Sequence, residues 1–200
     1  MDNFYRSKDN LSIWQGDITR LKVYAIVNAT NSMMLGCFLP MHACIDNQIH
    51  TFAGVQLREE CNSQMEKLRE KYGRDYEQPT DIPMITDAYN LPAKKVIHIV
   101  GPIVTNELIP ELEKKLEDCY VNILDMCLEN KLKSVAFCCI STGVFNFPNK
   151  EAAEIATETV AKWSLNHPNL MERIIFNVFK DEDKDIYSRI LSEYEKLTKI

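Results

Sequence analysis

Val96 to Val100, VIHIV, is apolar at nearly every position and closes on Gly101-Pro102. A strand apolar on both faces has to be covered on both faces, as happens in a parallel sheet packed between helices. Ser134 to Ile140, SVAFCCI, is a second continuous apolar run. Shorter strand patterns fall at Leu11 to Trp14, Val23 to Val27, Thr86 to Leu91 and Arg173 to Phe179. Between them the apolar spacing turns helical. Ile45, Ile49, Phe52, Ala53, Leu57 and Cys61 recur at three- and four-residue steps, and residues Asn62 to Pro83 read as helix plus connection with breaks at Gly73 and Pro79. Glu107 to Asn130 carries the longest pattern, Asn149 to Asn166 is alanine-rich, and Ile186, Ile190, Leu191, Tyr194 and Leu197 line one face of a last helix. This alternation predicts an α/β fold, a three-layer α/β/α sandwich around a mixed, mostly parallel central sheet, as one domain over residues 1–200.

Two hundred residues, 46% of them apolar, hold enough interior for such a domain without disulfide staples. The net charge of -6 argues against a general nucleic-acid or anionic-membrane surface, although backbone N–H groups can still hold a small polyanion. The amino terminus MDNFYRSKDN has no secretory apolar run, and no window reaches the length of a membrane span, so a cytoplasmic protein is expected. Seven scattered cysteines, with Cys138 and Cys139 adjacent, make a poor disulfide framework. Cys119, Cys127, Cys138 and Cys139 lie on apolar faces and read as packing residues.

Cys37, His42 and Cys44 are different, because they crowd into a Gly- and Pro-containing loop, GCFLPMHAC, off any apolar stripe. Two thiolates and an imidazole suit Zn²⁺. Three protein ligands leave a coordination position for water or substrate, as catalytic zinc sites do; a fourth from His50 or Cys61 would make the site structural. Asp46 can cap the helix that follows or act in chemistry, and His50, one turn on, reads as a packed, hydrogen-bonded core histidine. Asn28 and Asn31 are either turn formers or ligand contacts. No role is assigned to His98 or His167. Ser141-Thr142-Gly143-Val144-Phe145, followed by Asn146-Phe147-Pro148 and a helix, forms a strand–turn–helix unit whose unpaired N–H groups suit phosphate, with Pro148 in the first helical turn.

Taken together, Gly-Asp-Ile-Thr at 16–19, Tyr-Ala-Ile-Val-Asn-Ala-Thr-Asn at 24–31, Ile-Asp-Asn-Gln-Ile-His at 45–50 and Ile-Ser-Thr-Gly-Val-Phe-Asn-Phe-Pro at 140–148 resemble the macrodomain, the ADP-ribose-binding module, over nearly the whole chain. The Cys/His loop replaces the glycine-rich loop of many macrodomains and resembles the zinc-containing branch, known in microbes as ADP-ribosyl hydrolases. That resemblance implies that Asp17 and Ile18 hold adenine, that the Ser141 to Phe145 backbone holds the diphosphate, and that Phe179 stacks on adenine unless it is plain core. It further implies that Asn31 contacts the distal ribose and that Asp46 is the catalytic aspartate. The expected function is zinc-dependent removal of ADP-ribose from modified protein side chains by a monomer without nucleic-acid or membrane partners. A non-catalytic ADP-ribose reader and a hydrolase of free derivatives (O-acetyl-ADP-ribose, ADP-ribose 1''-phosphate) are the alternatives.

Overall fold

A computed structural model describes residues 4–6 and 10–197, with side chains described from 10 to 193. Among the described residues seven strands form one sheet: β1 (Phe4–Arg6), β2 (Leu11–Gln15), β3 (Ala25–Thr30), β4 (Met84–Asp87), β5 (Lys95–Val100), β6 (Ser134–Phe137) and β7 (Arg173–Val178), in the order β1-β2-β7-β6-β3-β5-β4. The five central strands, β2, β7, β6, β3 and β5, run parallel, and β1 and β4 pair antiparallel at the edges. Helix α1 (Ile45–Ala53) packs on β3 and on α2 (Val55–Tyr72); α3 (Pro110–Glu129), α4 (Asn149–Asn166) and α5 (Asp181–Leu197) pack in succession as a second layer. The expected sandwich is present, with a mixed and mostly parallel sheet. No helix among the described residues is long and apolar enough to cross a membrane.

The covered-strand argument holds at β5, where Val96, Ile97, His98 and Ile99 have no exposure. Several boundaries differ from expectation. The second expected strand is shifted: β3 continues through Asn28, Ala29 and Thr30, because these residues keep pairing with His98, Ile99 and Val100. The apolar run after Ser134 leaves the sheet at Phe137, its last partner being Phe176, and turns into a loop. The pattern from Ile45 to Cys61 is two helices, divided at Gly54, whose φ of 96° is left-handed. In α5 the buried stripe is Asp183, Tyr187 and Leu191, with Ile186 and Ile190 half-buried beside it; the side chains of Tyr194 and Leu197 lie outside the described residues. Cys119, Cys127 and Cys138 are buried as packing residues.

Candidate active site

Parallel pairing places the carboxyl ends of β2, β7, β6, β3 and β5 on one edge of the sheet, where open α/β folds bind ligands. Nearly every residue expected to act follows one of those ends. After β2, Asp17 Oδ1 accepts from the Thr19 N–H at 3.0 Å and from its hydroxyl at 2.6 Å, which caps a 3₁₀ turn at Ile18–Arg20. The Gly16 N–H donates to the Val178 carbonyl at 3.0 Å, so Asp17 and Phe179 leave neighbouring strand ends together. Phe179 is 75% exposed, which removes the core reading and leaves an aromatic face free at the strand end.

After β6, the loop folds on itself: the Phe147 N–H donates to Ser141 O at 3.0 Å and the Asn146 N–H to Gly143 O at 3.1 Å, with Phe147 buried as the anchor. Ser141 takes a left-handed φ of 66°, and its side chain fills the space beside Gly101, where a Cβ would come within 2.1 Å of its hydroxyl. Among the described residues no hydrogen bond engages the N–H groups of Gly143, Val144 or Phe145, so this turn presents free donors of the kind that hold anions. Pro148 stands at the N-cap of α4 rather than in its first turn.

After β3, Asn31 shapes the Cys/His loop: its Oδ1 accepts from the Met33 N–H at 3.0 Å and its Nδ2 donates to the Gly36 carbonyl at 3.4 Å. Met34, fully buried, pins the segment. Gly36 has a φ of 85° and lies flat on the His50 ring; a Cβ there would approach the ring to 2.8 Å. The donor atoms of Cys37, His42 and Cys44 lie within 4.8 Å of one another, and Cys37 Sγ is 3.4 Å from His42 Nδ1. Tetrahedral zinc with ordinary Zn–S and Zn–N bonds separates its donors by roughly 3.5–3.8 Å, so the trio fits that ion. All three residues are half-buried and reachable. Cys44 also caps α1, its Sγ accepting from the Asn47 N–H at 3.4 Å. Burial pushes the Cys44 thiol up, against the pull of the Asn47 N–H and with a further push from Cys37. A divalent cation would reverse that. The structure does not place His50 or Cys61 as a fourth ligand: both belong to a second, buried group with His98.

Asp46 is not the cap. It lies two residues past Cys44, in the first turn of α1, and is buried. Asn28 Nδ2 donates to its Oδ1 at 2.7 Å and Thr30 Oγ1 to its Oδ2 at 3.0 Å. Burial raises its carboxyl, opposed by the hydrogen bonds from Asn28 and Thr30 and by Arg58. His50 Nε2 is 3.5 Å from Asp46 Oδ1, but burial and then Arg58 push His50 down to about 4. A neutral ring makes this contact no ion pair. Among the described residues neither His50 nitrogen has a hydrogen-bond partner, contrary to the hydrogen-bonded histidine expected. His98 is pushed down to about 3, by burial and then by His50. Sequence reasoning missed Asn28, Thr30 and His98 as a group. Asn28 and His98 are each visible in the sequence as polar residues beside or within apolar runs, but only the pairing of β3 with β5 brings them together.

These histidines dictate a pH dependence of stability. Each is depressed in the folded protein, so the unfolded chain binds more protons between its ordinary value near 6.5 and the folded values of about 4 and about 3. The contribution of the two histidines to stability is complete above about pH 6.5 and falls as the medium is acidified, by up to about 1.4 kcal/mol per pH unit for each. The raised Asp46 carboxyl works in the opposite sense, one group against two. Urea unfolding of metal-free protein is therefore expected to show a lower midpoint at pH 5 than at pH 7; an equal or higher midpoint would contradict the neutral histidines.

The family model described as Macro domain matches residues 27–156. The chain is 49% identical over 187 residues to a protein named Protein-ADP-ribose hydrolase from Treponema medium, covering 94% of this chain and 69% of that protein. It is 48% identical over 180 residues to a protein of the same name from Staphylococcus aureus (strain MSSA476), covering 90% of this chain and 65% of that one. The chain thus spans about two thirds of the length of these relatives. Among solved structures, the Oceanobacillus iheyensis macrodomain with ADP superposes with a TM-score of 0.81 at 34% identity, over 98% of this chain and 97% of that one. The Trypanosoma brucei macrodomain in complex with ADP-ribose gives 0.74 at 31% identity, over 90% of this chain and 68% of that one.

Proposed function

Because the chain belongs to the Macro domain family, we propose that it is a zinc-dependent hydrolase that removes ADP-ribose from ADP-ribosylated protein side chains. The observation that carries this reading is the meeting of three zinc-type donors and a buried carboxylate on one short stretch, Cys37 to Asp46, at the ligand edge of the sheet. The relatives named Protein-ADP-ribose hydrolase, 49% and 48% identical to this chain, support it. Cys37, His42 and Cys44 would hold the ion, which when bound supplies Lewis-acid polarisation of a ribose hydroxyl or of a water.

The chain's own groups do the rest. Asp17 and the Ile18 N–H would take the adenine edge, with Phe179 across its face. The Ser141 to Phe145 turn, with Thr142, Gly143 and Val144 between, would hold the diphosphate; the N–H groups of Gly143, Val144 and Phe145 have no partner among the described residues, whereas that of Thr142 donates to the Cys139 carbonyl at 3.5 Å. Asn31, at the root of the Cys/His loop, would fix the distal ribose. Asp46 would orient or deprotonate the nucleophile, its oxygens held by Asn28 and Thr30 rather than by solvent. Water enters and ADP-ribose and the unmodified side chain leave.

The test is to incubate the zinc-loaded protein with a mono-ADP-ribosylated protein and follow release of ADP-ribose. Tight binding without release would favour the reader alternative. Cleavage confined to free O-acetyl-ADP-ribose or ADP-ribose 1''-phosphate would favour the small-molecule one. A second expectation concerns Phe179→Ala. Loss of one base–aromatic stack is worth about 1–3 kcal/mol, or roughly 5- to 150-fold in Kd. Calorimetric titration with ADP-ribose should show that weakening with the melting temperature unchanged, because the ring is exposed.

A further inference from the structure

Asn28 and His98 stand in register on the interior strands β3 and β5, with no solvent exposure. Their hydrogen bonds can be directed one at a time. The Asn28 amide nitrogen lies 2.7 Å from Asp46 Oδ1 and 3.1 Å from His98 Nδ1. An amide NH₂ carries two hydrogens and accepts nothing. With one hydrogen on the carboxylate, the other is aimed at His98 Nδ1, which has to be the unprotonated ring nitrogen. The ring proton is then on Nε2, 2.9 Å from Thr86 Oγ1, and the Thr86 hydroxyl is left to donate to the Val96 carbonyl at 3.5 Å. Thr86, His98, Asn28 and Asp46 form one chain with each of these hydrogens assigned.

The same geometry bears on a rival use of this region. His50, Cys61 and His98 also bring their donor atoms within 4.8 Å of one another, but a cation there would need the His98 Nε2 lone pair, which the chain fills with a proton. Turning the Asn28 carboxamide over to free that nitrogen would set its oxygen against an Asp46 oxygen. The cluster therefore serves the carboxylate, not a second ion.

Resting on the reading of Asp46 as the catalytic carboxylate, we propose that His98 is a positioning residue: its Nδ1 lone pair locks the Asn28 carboxamide, and through it the Asp46 carboxylate, without touching substrate. Without that acceptor, one amide hydrogen is buried and unpaired and Asn28 is free to turn, leaving Thr30 as the remaining hydrogen-bond donor on Asp46.

The test uses the zinc-loaded protein. His98→Leu keeps most of the volume and removes the acceptor; kcat is expected to fall about 10- to 100-fold, the usual scale for an outer partner of a catalytic group, with KM nearly unchanged. His98→Asn returns an amide oxygen near the Nδ1 position and is expected to recover most of kcat, although its smaller polar side chain makes it the less stable of the two. Opposite orders of kcat and melting temperature are the signature. A kcat that follows melting temperature, or a leucine variant at the parent rate, overturns the proposal. Independently of activity, ¹⁵N NMR of the parent's imidazoles should find His98 as the Nε2–H tautomer; an Nδ1–H form overturns it, and this decides alone if neither variant folds. Asp46→Ala separates the two levels. Its inactivity beside a fully active His98→Leu removes only the positioning role, whereas a fully active Asp46→Ala removes the reading beneath it.

Discussion

Asp46→Ala is expected to lower turnover by about 10²- to 10⁴-fold, the range for a lost general base or nucleophile-orienting carboxylate, with ADP-ribose affinity changed little. The separation follows from geometry. Adenine and diphosphate contacts are assigned to loops after β2, β6 and β7 and the distal-ribose contact to Asn31 after β3, whereas Asp46 lies in the first turn of α1 and touches Asn28 and Thr30. Removing it relieves the burial of a carboxylate and leaves two buried donors unpaired, effects of opposite sign, so the fold should persist. Single-turnover release from a modified protein, read beside calorimetric binding, measures both quantities. Parent-like release would take Asp46 out of the chemistry. Equal losses of binding and release would make it a binding residue.

The second large effect concerns the ion. Metal analysis is expected to find about one zinc per chain, and chelation should abolish release while ADP-ribose binding survives in part; added zinc should restore turnover. Cys37→Ala and Cys44→Ala should each lose both the metal and the activity. The two differ in a second respect, since only Cys44 also accepts the Asn47 N–H at the start of α1. Its loss should cost about 1 kcal/mol of stability as a missing cap does, beyond the cost at Cys37. Undiminished turnover by a preparation free of zinc would remove the metal from the mechanism.

The sandwich was legible because VIHIV is apolar on both faces, and the order of patterns fixed the parallel centre. Strand ends were less legible. Asn28 and Thr30 read as loop residues because polar side chains normally leave a sheet, but here they stay in β3 since Asp46 takes their hydrogen bonds. The Cys/His loop announced itself by composition, because local spacing alone brings its donors together. The Asn28–His98–Thr86 chain did not, since its members are far apart in sequence and meet only through pairing of β3 with β5 and β5 with β4. Likewise, Gly54 split a continuous helical period, which apolar spacing alone cannot reveal.

One residue both closes a coordination set and opens a helix. With a cation present, Cys44 would carry a full negative charge where the dipole of α1 is positive, so ion affinity and the order of that helix's first turn become linked quantities. Fraying of the turn would weaken the grip on such an ion, and its departure would loosen the turn that carries Asp46. Starvation for the metal would then switch the enzyme off at its carboxylate as well as at its Lewis acid, and an amide-exchange map of residues 45–48 would register the cation without any substrate.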